Sequence, residues 1–157
     1  EKLGLPINSK FICLAVRDSA YLNNYQYKNW NYHSYRNCEI DDFVLAAEEA
    51  TKRGYYVFRM GKKVEKRMET SNPMIIDYAC SDMRSDFMDI YLGANCVFCL
   101  STSVGFDGVP QIFRKPVALI VLPISDFPTY LDNSIIITEH HFVRLLNSPS
   151  ILGKNGL

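Results

Sequence analysis

The sequence has no excess of either charge. Seventeen Lys and Arg residues offset seventeen Asp and Glu in 157 residues, so the formal net charge is zero. No global field draws the chain to nucleic acid or to an anionic membrane surface, although a local phosphate site remains compatible with that balance. No run approaches the ~20 consecutive apolar residues of a membrane-spanning helix, and the first residues lack the charged-then-apolar order of a secretory signal. The expectation is a soluble, cytoplasmic chain with no membrane span. The chain opens on Glu, and "EKLGLP" reads as the tail of a linker, so residues 1–9 are expected to be a linker remnant and 10–157 a single domain.

Two phosphate-binding signatures are also missing. No G-x-G-x-x-G follows the first predicted strand and G-x-x-x-x-G-K-[ST] occurs nowhere, which argues against nicotinamide-dependent and P-loop chemistry. Metal-ligand spacing is absent too. His140 and His141 are adjacent and cannot easily ligate together. Cys96 and Cys99 fall in a predicted strand, where residues three apart project to opposite faces, and no second Cys or His pair accompanies them. No metal and no cofactor is therefore expected. Five cysteines make an odd number, most of them in or beside apolar runs, as in a protein whose thiols stay reduced.

What is present is the balance of a globular domain, 48% apolar and 22% charged, in a chain long enough for one core. "KFICLAV" at 10–16 is a short apolar run, predicted to be a strand buried on both faces. "IDDFVLAAEEATKRG" at 40–54 predicts a helix, with Asp41 or Asp42 as cap, Phe43, Ala46, Ala47 and Ala50 on one face and Gly54 at the stop. "YYVFRMG" predicts a second strand and "PMIIDYA" a third. "SDMRSDFMDIYLGANC" predicts a helix capped by Ser81 or Ser85, with Phe87, Ile90 and Tyr91 on a common face and Gly93 at its end. Residues 94–100 predict a fourth strand, "FDGVPQIFR" a broken short helix, "KPVALIVLP" a fifth strand, "SIIIT" a further one and 140–147 a last helical piece.

Near alternation of strand and helix predicts an α/β fold: a Rossmann-like open, mostly parallel sheet with helices on both faces. Ligands of such sheets bind beyond the carboxyl ends of the strands. Those ends carry Arg17 and Asp18 after the first strand, Arg59 after the second, Asp77 after the third and Ser101, Thr102 and Ser103 after the fourth. Two guanidinium groups, hydroxyls and a helix start form an anion-recognition chemistry, because a guanidinium fork meets phosphate oxygens in pairs. The hydroxyls are equally suited to capping the next helix, Arg17 to a surface ion pair with Asp18 and Arg59 to reaching out from a strand end. Between them lies an aromatic, amide-rich stretch at 19–37 with no regular period, predicted to be a long loop. Its His33, Tyr35, Arg36 and Asn37 combine groups that suit either sugars or a protein partner.

The segments "CLAVRDSAYL", "HSYRNCEID", "GYYVFRMG" and "IIDYACSDMRSDFMDIYLGANCVFCLSTSVGFDGVPQIFRKPV" resemble a family of uncharacterised bacterial glycosyltransferase-like proteins associated with surface-polysaccharide loci and sometimes fused to tetratricopeptide repeats. The resemblance covers residues 10–121, and "HxYRN" and "YxFRMG" are its more specific parts. It implies the donor-binding half of a two-domain, GT-B-type transferase, distantly similar to fucosyltransferases, in which an arginine after the first strand neutralises the donor diphosphate. Arg17 of "AVRD" stands in that place, while Ala15 stands where those enzymes carry a histidine. The resemblance implies a nucleotide-diphosphate sugar as donor substrate and a glycan or lipid-linked acceptor reached through an N-terminal domain absent here, so that the isolated domain turns over little or nothing.

On that basis Arg17, Arg59, Ser101, Thr102 and Ser103 are expected to hold the diphosphate, with Arg36 a third cation. Asp77 or Tyr78 is expected at the base or ribose. His33 is the candidate catalytic base, since its ordinary pKa suits proton transfer near neutrality. Two alternatives stay open: a non-catalytic nucleotide, glycan or protein-binding module, and a sugar-nucleotide epimerase-like half-domain, which needs a carboxylate such as Asp86, Asp89 or Asp107.

Overall fold

A computed structural model of the chain describes residues 5–20, 37–120 and the strand at 134–137. Six strands form one sheet: β1 (Phe11–Ala15), β2 (Tyr56–Met60), β3 (Ile75–Ile76), β4 (Cys99–Ser101), β5 (Val117–Ile120) and β6 (Ser134–Ile137). Their order is β3-β2-β1-β4-β5-β6, and every neighbouring pair is parallel. Among the described residues three α-helices connect them: α1 (Val44–Lys52), α2 (Asp86–Asn95) and α3 (Gly108–Ile112).

β1 is the central strand and is buried along its whole length, as its uninterrupted apolar run requires. Its side chains alternate between two cores. Phe11, Cys13 and Ala15 join Phe58, Met60, Leu92 and Val117 on one face, where α2 and the turn into α3 pack through Met88, Leu92 and Phe106. Ile12, Leu14 and Val16 join Val57, Phe43, Ala47 and Ala50 on the other, beneath α1. Helices thus cover both faces of an open parallel sheet, the Rossmann-like arrangement.

The crossover from β1 to β2 passes through α1 on one face, whereas that from β3 to β4 passes through α2 on the other. The chain therefore leaves β1 and β4 in opposite directions, and a crevice opens at their carboxyl ends.

Several elements differ from the sequence reading. A single 3-10 turn over Ile40–Phe43 leads into α1, and its N-cap is Glu39, with no side-chain cap from Asp41 or Asp42. Gly54 follows α1 in the left-handed region at φ 83°, as predicted for its stop. Ser85 does cap α2, accepting from the Met88 amide at 3.2 Å. The helix then runs past Gly93 to Asn95, because the missing Cβ lets α3 approach: a methyl there would meet Val109 Cγ1 at 2.7 Å. Phe87, Ile90 and Tyr91 face outward, at 73%, 50% and 45% exposure. The buried side of α2 carries Met88, Leu92 and Gly93 instead, so the larger apolar stripe is not the packed one.

The fourth strand starts at Cys99, not at residue 94, since Ala94 and Asn95 belong to α2 and Cys96 caps it. Cys96 and Cys99 consequently do not point apart. Both lie in one core with Cys13, and all five thiols are free. The predicted helical piece at 140–147 lies outside the described residues, as does most of the predicted long loop at 19–37.

Candidate functional site

A cavity of about 530 Å³ occupies the crevice. Ala15, Val16, Arg17 and Asp18 supply the wall beyond β1, and Val104, Gly105, Phe106 and Val109 the wall beyond β4. Met60, Gly61, Lys62, Lys63 and Val64 line it from the end of β2, and Asp86, Asp89 and Ile90 from the start of α2. Most of these side chains are apolar, with charges of both signs among them.

The carboxylates of that lining have partners of their own. Asp89 Oδ2 meets Arg84 Nη2 at 2.9 Å, and its Oδ1 accepts from the Tyr78 hydroxyl at 2.9 Å. Asp86 Oδ1 lies 3.1 Å from the same Arg84 nitrogen and 3.8 Å from Lys62 Nζ. Asp18 Oδ2 lies 3.8 Å from Arg59 Nη2 and accepts from the Glu65 amide at 3.0 Å, while Oδ1 accepts from the Ala20 amide. Arg59 and Arg84 are outside the lining, so both acidic sides are compensated from behind. Arg17, Lys62 and Lys63 are the lining cations, and Lys62 shares Asp86 with Arg84.

The strand-end residues expected to hold a diphosphate divide into two groups. Arg17 lines the cavity. It lies next to the hydroxyl turn, for its amide donates to Thr102 Oγ1 at 2.8 Å and the Thr102 amide donates back to the Ala15 carbonyl. Arg59, Asp77, Ser101, Thr102 and Ser103 do not line it. Thr102 and Ser101 are buried. Thr102 ties β4 to the chain leaving β1, and Ser101 Oγ accepts from the Ser103 amide at 3.1 Å, which holds Ser103 in the left-handed region at φ 63°. Neither hydroxyl caps the following helix. α3 has no side-chain cap; Asp107 instead closes the 3-10 turn over Gly105–Asp107 that leads into it, its Oδ2 accepting from the Val104 amide at 3.0 Å.

Arg59 is the largest fully buried side chain among the described residues. Its Nη1 meets Asp77 Oδ1 at 3.1 Å and its Nη2 faces Asp18, so two carboxylates oppose one guanidinium. A diphosphate placed there would meet net negative charge. Asp77 completes the arrangement by accepting from the Met68 amide at 2.9 Å through Oδ2. Tyr78 is buried beside it. Its hydroxyl donates to Asp89 and accepts from the Ser85 amide at 3.1 Å, and burial pushes its pKa up to about 12. It is a neutral donor that orients a cavity carboxylate. His33 and Arg36 lie outside the described residues.

Lys62, Lys63 and Asp89 are cavity residues that the strand-end rule does not single out. Each stands on a connection or a helix rather than directly at a strand end. The sequence signal for the lysines is Gly61 followed directly by two cations.

Among the described residues no group of three or more His, Cys, Asp or Glu side chains is disposed to hold a metal, and no helix is long and apolar enough to cross a membrane. Comparison with known protein families, curated proteins and solved structures gives no match.

Proposed function

We propose that this chain is the nucleotide-sugar-binding domain of a glycosyltransferase acting in surface polysaccharide biosynthesis. One observation supports it above the others: a cavity of about 530 Å³ at the β1/β4 switch point, lined by Arg17, Lys62 and Lys63, with its own carboxylates paired to Arg59 and Arg84. Its volume lies within the ordinary range for small-molecule and cofactor sites. The apolar walls of Val104, Phe106 and Ile90 suit a base or a sugar face, and the cations suit a diphosphate.

Glycosyl transfer breaks the bond between the anomeric carbon and a diphosphate. Charge grows on the leaving oxygens, and preorganised cations lower that barrier by stabilising it. Arg17 is the residue assigned this role, since it follows the central strand, lines the cavity and is held by its own amide on Thr102. In a two-domain transferase of this type the acceptor is brought to the donor by the partner domain.

Thermal unfolding of the chain with UDP-, GDP-, CMP- and dTDP-sugars tests this reading. A ligand at 100 times its Kd adds about 2.7 kcal/mol, or roughly 5–10 °C for a chain of this size. Arg17→Ala should lose most of that shift with its unliganded melting temperature little changed. No shift with any of the panel, nor with the free nucleoside diphosphates, would defeat the proposal.

A further inference from the structure

The geometry points to Asp18 and Arg59 as positioning residues that set the Lys62–Lys63 arch over the cavity, an inference that rests on the nucleotide reading above. Residues 61–68 leave β2, and two carboxylates tie them down. Asp18 Oδ2 takes the Glu65 amide at 3.0 Å and Asp77 Oδ2 takes the Met68 amide at 2.9 Å. Arg59 lies between these carboxylates, 3.8 Å from the first and 3.1 Å from the second. The Ser19 hydroxyl adds a bond to the Glu65 carboxylate. Loops after three different strands are thereby joined through one buried guanidinium.

Gly61 makes the arch tight enough to matter. A Cβ on it would stand 2.6 Å from Val64 Cγ1, so Val64 folds back over the glycine and the two lysines between them project from a closed turn. Val64, Lys62 and Lys63 all line the cavity. The residues of "FRMGKK" therefore form one device: a buried cation at the strand end, a glycine that allows the fold-back, and the two cations so placed.

Electrostatics and positioning give opposite signs for one substitution, which makes the inference testable. Asp18→Asn removes a negative charge from the cavity lining, so Coulomb attraction alone makes a diphosphate bind more tightly. Loss of the clamp makes it bind more weakly, because the Asn amide cannot accept from both loop amides as the carboxylate does. Titration calorimetry with UDP and GDP should show Asp18→Asn weakened roughly tenfold, of the order expected when charge-assisted contacts are lost. In a Lys62→Ala/Lys63→Ala background the same substitution should cause no further loss. Arg59→Lys should fold and lie between the wild type and Asp18→Asn. Tighter or unchanged binding by Asp18→Asn, or a loss that persists without the lysines, would overturn the inference.

Amide exchange separates its failure from that of the nucleotide reading. Asp18→Asn should deprotect Glu65 and leave Leu92 in α2 protected. Failure of the wild type to bind either nucleotide removes the nucleotide reading and the lysines' role in it, while unchanged exchange at Glu65 removes the clamp itself.

Discussion

Asp107 should make the stability of this domain fall as the pH rises from 4 to 7. Its carboxyl is buried at 6% exposure beneath the turn after β4. Burial pushes its pKa from 3.8 up to about 6, against a smaller opposing effect of the Ser101 hydroxyl and the Val104 amide. Oδ1 has no hydrogen-bond partner among the described residues, and Oδ2 accepts from the Val104 amide. The raised folded-state pKa means that the native state binds this proton more tightly than the unfolded chain does. The resulting stabilisation is complete below about pH 4 and is lost as the pH passes through 6. At roughly 1.4 kcal/mol per pH unit, the difference between 3.8 and about 6 corresponds to about 3 kcal/mol.

The assay is urea unfolding of the wild type and Asp107→Asn at half-unit steps from pH 4 to 8. Asn keeps the acceptor for the Val104 amide and cannot ionise, so its own cost, a buried amide group with an unmatched donor, is independent of pH. The quantity to follow is the difference between the two proteins. Groups common to both cancel from it, including Glu49, whose carboxyl is lowered by its bond to Arg53 and contributes in the opposite direction. The wild type should lose about 2–3 kcal/mol relative to the variant between pH 4 and 7.5, and the difference should be flat above that. Parallel curves across the range would refute the reasoning, since they would mean that the carboxylate is as well solvated in the fold as out of it.

Two further substitutions probe the packing that shapes the cavity. Gly93→Ala places a methyl 2.7 Å from Val109 Cγ1 and 3.2 Å from Phe106 Cζ, and should cost about 1–3 kcal/mol in urea unfolding; Val109→Ala should recover part of that loss, and simple additivity of the two would refute the contact. Tyr78→Phe strips a donor from Asp89 and an acceptor from the Ser85 amide, so it should destabilise by about 1–3 kcal/mol, whereas a change within a few tenths of a kcal/mol would show that water replaces the hydroxyl.

The sheet was legible because its signal is simple. An apolar run such as "FICLA" between turn residues has few uses other than a strand covered on both sides, and alternation with helical segments leaves parallel pairing as the economical solution. Helix faces were less legible. On α2 the aromatic stripe of Phe87 and Tyr91, stacked at 6.4 Å, outweighs Leu92 and Gly93 in any count of hydrophobicity, but contact with α3 depends on a side chain that is absent. No pattern of apolar residues registers that. The expectation that Cys96 and Cys99 project to opposite faces fails for a related reason: their projection depends on where the helix stops, and a cap at Cys96 puts both into the same core.

The site was legible as a place and not as a set of residues, and the physical reason lies in what the end of a parallel strand demands. There the ladder stops, and backbone amides of the departing loops need acceptors that the sheet no longer provides. Thr102 answers the Arg17 amide, Ser101 the Ser103 amide, Asp18 the Ala20 and Glu65 amides, and Asp77 the Met68 amide. A polar residue at such a position is therefore claimed first by the scaffold, and a buried carboxylate so used brings in a cation in turn, as Asp18 and Asp77 do with Arg59. The groups left to face the cavity are those one step further out, on a turn whose amides Asp18 and Asp77 have already taken up. Lys62 and Lys63 stand there, beyond a strand-end arginine and a fold-back glycine, and line the cavity from a position that no count of strand-end polar residues reaches.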